Sequence, residues 1–226
     1  MNRVLKLNIG CGLTAPEGWI NIDSSVNARL SQYPRVKRLL GMFKVLPKRT
    51  LEIPWPDNIT ILNVTKGLPY PDGSVMCVYS SHLLEHLWRP EAAELLKECH
   101  RVLIPGGVIR IIVPDFRVAV FKYMESLHKG EDCSDNPPAA EIFLQSLDLY
   151  RTEEKNRNVF LKLYRVFNDK NSHKWAYDAC SLRYLLETVG FRDIVERTYG
   201  ESLIENVKEL DSLRRFEGSI CLEAVK

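Results

Sequence analysis

No stretch of this chain approaches the roughly 18 consecutive apolar residues that a membrane-spanning helix needs. The run from Met1 to Asn8 alternates polar and apolar residues, without the apolar block of a secretory signal. A cytoplasmic protein is therefore expected. Cysteine is sparse: Cys11, Cys77, Cys99, Cys133, Cys180 and Cys221 include no Cys-x-x-Cys pair, which excludes a disulfide framework. Several lie in apolar segments, where a reduced cysteine is a small core residue. An excess of either charge is also missing. Thirty-one basic against twenty-nine acidic side chains leave +2, so global charge names no partner and nucleic-acid binding is not expected. Internal repeats and low-complexity linkers are absent. What remains is 226 residues, 45% hydrophobic and 27% charged, the composition of an ordinary globular chain. It is long enough to bury a core unaided. We read residues 1–226 as one domain.

Short β-like runs alternate with helical stretches, which predicts an α/β fold around a mostly parallel sheet, with helices on both faces. The strand candidates are Val4 to Ile9, Trp19 to Asp23, Ile59 to Val64, Val75 to Tyr79, Val108 to Val113, Ile194 to Tyr199 and Ser219 to Val225. Ser80-Ser81-His82 is expected to open a helix. Pro90 suits the first turn of the next helix, whose Ala92, Leu95, Leu96, Cys99, Val102 and Leu103 share one face. Ser181 to Val189 reads as a helix closed by Gly190. Two segments break the alternation and read as insertions. Residues 24–57 carry seven basic side chains with no acidic residue between Asp23 and Glu52. Residues 116–176 look helical but irregular, a helical cap over the carboxyl edge of the sheet.

The chemistry begins at Leu7-Asn8-Ile9-Gly10-Cys11-Gly12. Glycines after a first strand let backbone approach a ligand closely, and an acidic residue closing the second strand, Asp23, can hold ribose hydroxyls. Gly10-x-Gly12-x-x-Ala15 also fits a relaxed dinucleotide fingerprint, but its acidic residue should lie about 20 positions on, past a full helix. Here only ten residues separate Gly12 from Asp23, and Pro16 and Gly18 are among them. A regular crossover needs a dozen or more, so the first crossover helix should be missing or reduced to a turn. With little helix N-terminus to seat a pyrophosphate, a nucleoside ligand without phosphates fits better.

Four blocks in order resemble the class I S-adenosylmethionine-dependent methyltransferases, in particular the methyltransferase type 11-like proteins found among glycan and natural-product genes. They are Leu7 to Gly12, Gly18 to Asp23, Leu68-Pro69-Tyr70-Pro71-Asp72-Gly73 running on to Ser80-Ser81-His82-Leu83-Leu84-Glu85-His86-Leu87, and Arg101-Val102-Leu103-Ile104-Pro105-Gly106-Gly107. The resemblance implies a Rossmann-like seven-stranded sheet with its last strand antiparallel, and S-adenosyl-L-methionine as cofactor. It places Asn8, Gly10, Cys11 and Gly12 around the methionine portion, Asp23 on the ribose, Asn63 and Val64 at the adenine, and Ser80, Ser81 and His82 beside the activated methyl group. Asn8 and Asn63 replace acidic residues usual in the family, though an amide carbonyl still accepts a hydrogen bond.

An alcohol acceptor needs a base, and histidine serves near neutral pH. His82 is the first candidate, with Asp115 and His173 behind it. Packing or cofactor orientation is the alternative for His82, a helix N-cap for Asp115, and a plain loop residue for His173. The Asn/Asp-Pro-Pro-aromatic signature of many N-methyltransferases is absent, which tilts the reading to transfer onto oxygen of a small molecule or saccharide. Two other functions stay open. One is a cofactor-binding protein without catalysis; the other is a zinc hydrolase using His82-x-x-Glu85-His86. No metal ligand is assigned. Residues 36–46 mix basic and apolar side chains, which fits an anionic membrane surface, a grip on an acidic or phosphate-bearing substrate, or an amphipathic helix packed on the sheet.

Overall fold

A computed structural model describes residues 5–43, 45–46, 48–129, 138–147 and 172–226. In chain order the strands are β1 (Leu5–Ile9), β2 (Ile20–Asp23), β3 (Ile59–Ile61), β4 (Val75–Ser81), β5 (Leu103–Pro114), β6 (Arg192–Glu196) and β7 (Ser219–Val225). The helices used below are α1 (Val26–Ser31), α2 (Pro34–Met42), α3 (Lys48–Glu52), α4 (Arg89–Val102), α5 (Phe116–Lys129), α6 (Ala139–Ser146) and α7 (Ala179–Val189). One seven-stranded sheet runs β3-β2-β1-β4-β5-β7-β6. Only β7 is antiparallel to its neighbours. This is the Rossmann-like arrangement expected. Residues 10–19 contain no helix, as the short spacing predicts.

That bare connection is held by amides instead of helix packing. Asn8, buried in β1, donates from Nδ2 to the Thr14 carbonyl (2.8 Å) and to Asn21 Oδ1 (2.9 Å). Asn21 donates in turn to the Pro16 carbonyl (3.0 Å), and Asn58 to that of Ala15 (3.0 Å).

One face of the sheet carries the main core. Leu7, Ile9, Ile22, Val78, Ile109, Ile111 and Leu222 pack with Leu95, Leu96 and Cys99 of α4 and Leu182 and Leu186 of α7. The alternation of β-strands sends every second residue there, and burial of each such side chain contributes about 1.5–3 kcal/mol. Asp178 and Ser181 cap α7 reciprocally (2.7 and 3.0 Å), and Gly190 closes it at φ +111°. On the opposite face Cys77, Tyr79, Ile112 and Cys221 are covered by Ile204, Val207 and Leu210. In their midst Arg110 is fully buried. All five of its N–H groups are satisfied: two by Asp211 (2.7 and 3.2 Å), one by Glu223 (2.9 Å), and two by the carbonyls of Thr198 (3.1 Å) and Glu201 (2.8 Å).

The Leu68–Gly73 turn, one of the resemblance blocks, is architectural. Arg101 of α4 donates to the carbonyls of Leu68 (2.9 Å) and Tyr70 (3.0 Å) and to Asp72 (2.6 Å), while Glu98 accepts the Leu68 N–H (2.9 Å). Hydrogen bonds from Arg101, then that from Leu68, hold the Glu98 carboxyl down at about 2. An unfolded glutamate titrates near 4.3. Its depressed folded pKa therefore stabilises the protein fully above about pH 4.3, and the gain is lost as pH falls through about 2. Glu98→Gln is expected to lower the urea midpoint at pH 7, with the gap to wild type narrowing on acidification toward pH 2. A gap that ignores pH would refute a role for the carboxylate charge.

Several expectations need correction. The fourth strand does not end at Tyr79 with a helix at Ser80. It runs to Ser81, paired with Ile112, because the ladder with β5 continues. His82 then turns in the left-handed region (φ +56°), and Leu84–His86 form a 3₁₀ turn. The third strand stops at Ile61, since Asn63 caps a 3₁₀ turn over Val64–Lys66 by accepting from the Thr65 N–H (3.2 Å). Such local side-chain bonds compete with strand pairing. The last parallel strand lies at 192–196 instead of 194–199. Within 24–57, α2 buries no residue and leaves Val36, Leu39, Met42 and Phe43 exposed. It packs on α1 and α3, so the sheet-packed reading of 36–46 fails. Of the expected cap over 116–176, α5 and α6 pack on each other; residues 130–137 and 148–171 lie outside the described residues.

Candidate active site

In an open α/β sheet, ligands bind beyond the carboxyl ends of the strands where the chain order reverses. Here that point lies between β1 and β4, and Ile9 and Ser80 are register partners there. A cavity of about 860 Å³ opens at this edge, lined by Gly10, Gly12, Asp23, Asn63, Val64 and His82 among others. Gly10 (φ +69°) passes so close to β4's exit that a Cβ would meet the Leu83 Cβ at 3.0 Å. Gly12 (φ +54°) donates its N–H to Asp23 Oδ2 (3.0 Å), and the other carboxylate oxygen accepts from Ser25 N–H (2.7 Å). The carboxylate is thereby fixed at the cavity wall, with lone pairs remaining on both oxygens.

The expected cofactor residues divide into two groups. Gly10, Gly12, Asp23, Asn63, Val64 and Ser81 line this cavity. Asn8, Cys11 and Ser80 are buried behind it, Asn8 bracing the loop as described. The Asn63 carbonyl accepts from both the N–H (3.2 Å) and the hydroxyl (3.0 Å) of Thr65.

A second cavity of about 530 Å³ adjoins, lined by His82, Glu85, Asp115, Phe116, His173 and Ser219 among others. All three expected catalytic candidates meet here. His82 lines both cavities, as does Lys174. Its Nδ1 lies 3.1 Å from Ser81 Oγ and its Nε2 3.5 Å from Ser219 Oγ. Its backbone N–H donates to the Ile112 carbonyl (2.9 Å). Burial, then the nearby Arg215, hold its pKa down at about 4, so the ring is neutral near pH 7. Asp115, just before α5, accepts the Arg117 N–H (3.0 Å) and pairs with the Arg117 guanidinium (3.0 Å). The inverted zinc motif fails geometrically: β4's turn leaves no helix to put His82 and His86 on one face. Among the described residues, the His and carboxylate donors within 4.8 Å of one another are those of Glu85, His86 and His173.

Two cavity-lining residues were not among the expected site residues. Arg215 donates to the Ser81 carbonyl (3.2 Å) and reaches to within 3.5 Å of where a Gly12 Cβ would stand. Lys174 arrives because its N–H donates to the Glu85 carbonyl (2.7 Å). Arg215 is placed by the ladder of β7 and by the Arg110 network on the far face, neither of which leaves a spacing motif.

Residues 7–111 match a family described as a methyltransferase domain. A probable S-adenosylmethionine-dependent methyltransferase of Mycolicibacterium smegmatis is 32% identical over 153 residues, covering 68% of this chain and 41% of its own. The chain thus spans about two fifths of that relative's length. Among solved structures, a SAM-dependent methyltransferase from Archaeoglobus fulgidus is 18% identical with a TM-score of 0.46, covering 98% of this chain and 85% of its own. A possible histamine N-methyltransferase from Thermotoga maritima is 15% identical with a TM-score of 0.48, covering 98% and 81%. The glycine loop, Asp23 and Asn63, which line the first cavity, all lie within the matched stretch, and the chain is similar there to the S-adenosylmethionine-dependent methyltransferases.

Proposed function

We propose that the protein transfers a methyl group from S-adenosylmethionine to a hydroxyl oxygen of a small-molecule or saccharide acceptor. The observation that carries this reading is the placement of His82 on the wall shared by two cavities. The donor cavity fits a nucleoside bearing a zwitterionic chain. Asp23 offers two anchored carboxylate oxygens to the ribose hydroxyls. Asn63 and Val64 flank the adenine, and Gly10 and Gly12 admit the chain close to backbone. Arg215, beside Gly12, supplies positive charge for the chain's carboxylate. The donor, when bound, brings an electrophilic methyl group whose departure leaves a neutral thioether.

The chain's own residues do the rest. The two cavities hold donor and acceptor on either side of His82, and such positioning supplies a large part of the rate. We assign the Nδ1–H of His82 to Ser81 Oγ, which leaves the Nε2 lone pair to take the acceptor hydroxyl's proton as oxygen bonds to the methyl carbon. Asp115, engaged by Arg117, positions the start of α5 along the acceptor cavity.

Calorimetric titration with S-adenosylhomocysteine tests the donor site. Wild type is expected to bind on the order of micromolar, and Asp23→Ala to bind roughly 30–150-fold more weakly, the loss of about 2–3 kcal/mol for a charged hydrogen-bond acceptor. No binding by wild type to either donor or product would sink the reading. Binding without turnover on any acceptor would leave a donor-binding protein that does not catalyse.

A further inference from the structure

Glu85 presents a problem that the methyl-transfer reading does not use. Its side chain is 2% exposed, and both carboxylate oxygens are buried without a hydrogen-bond partner. A buried carboxylate without a partner is costly, and natural structures supply such groups with a counter-charge, a proton or a metal. Beside it stand two imidazoles. His86 and His173 form an edge-to-face pair with ring centroids 5.0 Å apart, and one donor atom from each of Glu85, His86 and His173 lies within 4.8 Å of the other two.

We propose that Glu85, His86 and His173 form the binding site of one divalent transition-metal cation, of the zinc and cobalt class, set into the wall between the donor and acceptor cavities. The backbone builds this cluster deliberately. Lys174 and Trp175 both donate their N–H groups to the Glu85 carbonyl (2.7 and 3.2 Å), which latches the His173 segment onto the 3₁₀ turn carrying Glu85 and His86. His86 Nδ1 lies 3.3 Å from the Ser172 carbonyl, an outer-shell contact that puts the proton on Nδ1 and the basic lone pair on Nε2. Two imidazoles and one carboxylate are the donor set of zinc sites that keep a coordination position open. Magnesium and calcium prefer all-oxygen sets. Bonds of about 2.1 Å in a tetrahedral site separate donors by roughly 3.4 Å, so donors within 4.8 Å of one another need to close by no more than about 1.4 Å through side-chain rotation. Glu85 and His173 line the acceptor cavity while His86 lines the donor cavity, so the open position faces the place where an acceptor oxygen would enter. The proposal goes beyond the methyl-transfer reading, because cation binding can be read with no acceptor present.

The experiment titrates Zn²⁺, and separately Co²⁺, into chelator-treated full-length protein by calorimetry and visible absorption. Wild type, Glu85→Gln and His173→Ala are compared, each with its S-adenosylhomocysteine affinity and melting curve as fold controls. Neither Glu85 nor His173 lines the donor cavity, so product binding should survive both changes. The expected result is one equivalent bound by wild type, Co²⁺ absorption bands of a nitrogen–oxygen site, and binding at least roughly 10-fold weaker in both variants. Zn²⁺ should also raise the melting temperature of wild type but not of Glu85→Gln. Wild type that binds no stoichiometric cation overturns the proposal, as does binding that both variants retain, which would place the ion elsewhere. Should one variant lose product binding, the other decides. Product binding by wild type without cation binding would sink this site and leave the donor reading standing.

Discussion

Replacing His82 by asparagine is expected to slow methyl transfer by roughly 10²–10⁴-fold, with little change in S-adenosylhomocysteine affinity. Asparagine is the informative choice because His82 sits at φ +56°, a region that asparagine tolerates better than alanine. Alanine lacks the local side-chain bonds that favour asparagine there, so His82→Ala would mix a backbone effect with loss of the ring. The loss expected is that of a positioned base. On the proposed reading the ring, held between the hydroxyls of Ser81 and Ser219, is unprotonated near pH 7, though the same burial and Arg215 that keep it neutral also lower its basicity. The check is the initial rate of S-adenosylhomocysteine release with an acceptor found in a hydroxyl-bearing panel, alongside calorimetric donor affinity. An asparagine variant keeping a third or more of the wild-type rate would show that His82 only packs or orients.

The second large effect belongs to stability. Arg110→Met is expected to cost about 3–5 kcal/mol, because it leaves the buried Asp211 carboxylate without its cation and Glu223 with Arg197 (3.3 Å) in its place. For a chain of this size, with about 2–4 °C per kcal/mol, the melting temperature should fall by about 10 °C. A triple change to Arg110→Met, Asp211→Leu and Glu223→Leu should recover much of that loss, since an apolar replacement of a whole buried ion cluster is often neutral. Part of the deficit will persist: Asp211 also accepts the Tyr79 hydroxyl (3.2 Å) and the Gly200 N–H (2.9 Å), and Glu223 binds the Ser202 hydroxyl and the Leu203 N–H (3.1 Å). Circular-dichroism melts of the single and triple variants decide the matter. A single variant within about 1 kcal/mol of wild type would mean that the cluster is already hydrated. The network also bears on the site, since it fixes the 198–211 segment from which the chain proceeds to Arg215 and Ser219.

The strands, the bare first crossover and the placing of Asp23 beside the glycine loop were legible in the sequence because each rests on local chemistry: apolar runs, glycine, proline and spacing. What was illegible depends on contacts far along the chain. Arg110 reads as a blemish in Val108 to Val113; its partners lie 101 and 113 residues onward. His173 reads as a loop histidine until the latch at Glu85 brings it to His86. The Ser80–His82 segment misleads for a related reason. Its residues show no strand preference, yet the β5 ladder beside them extends the strand through Ser81. The exposed apolar side chains of α2 show periodicity at its weakest, because a helical pattern says which residues share a face and not what lies opposite.

The helix-free link between β1 and β2 has a kinetic consequence. A helix forming that wall would have to unpack cooperatively before the donor's methionine end could be released. Here none of residues 12–19 is buried, and the side-chain amides of Asn8, Asn21 and Asn58, with the Gly12 N–H bond to Asp23, hold them in place, the kind of unit that opens without disturbing the sheet. Amide hydrogen exchange is accordingly expected to be faster across this link than in β1 and β4.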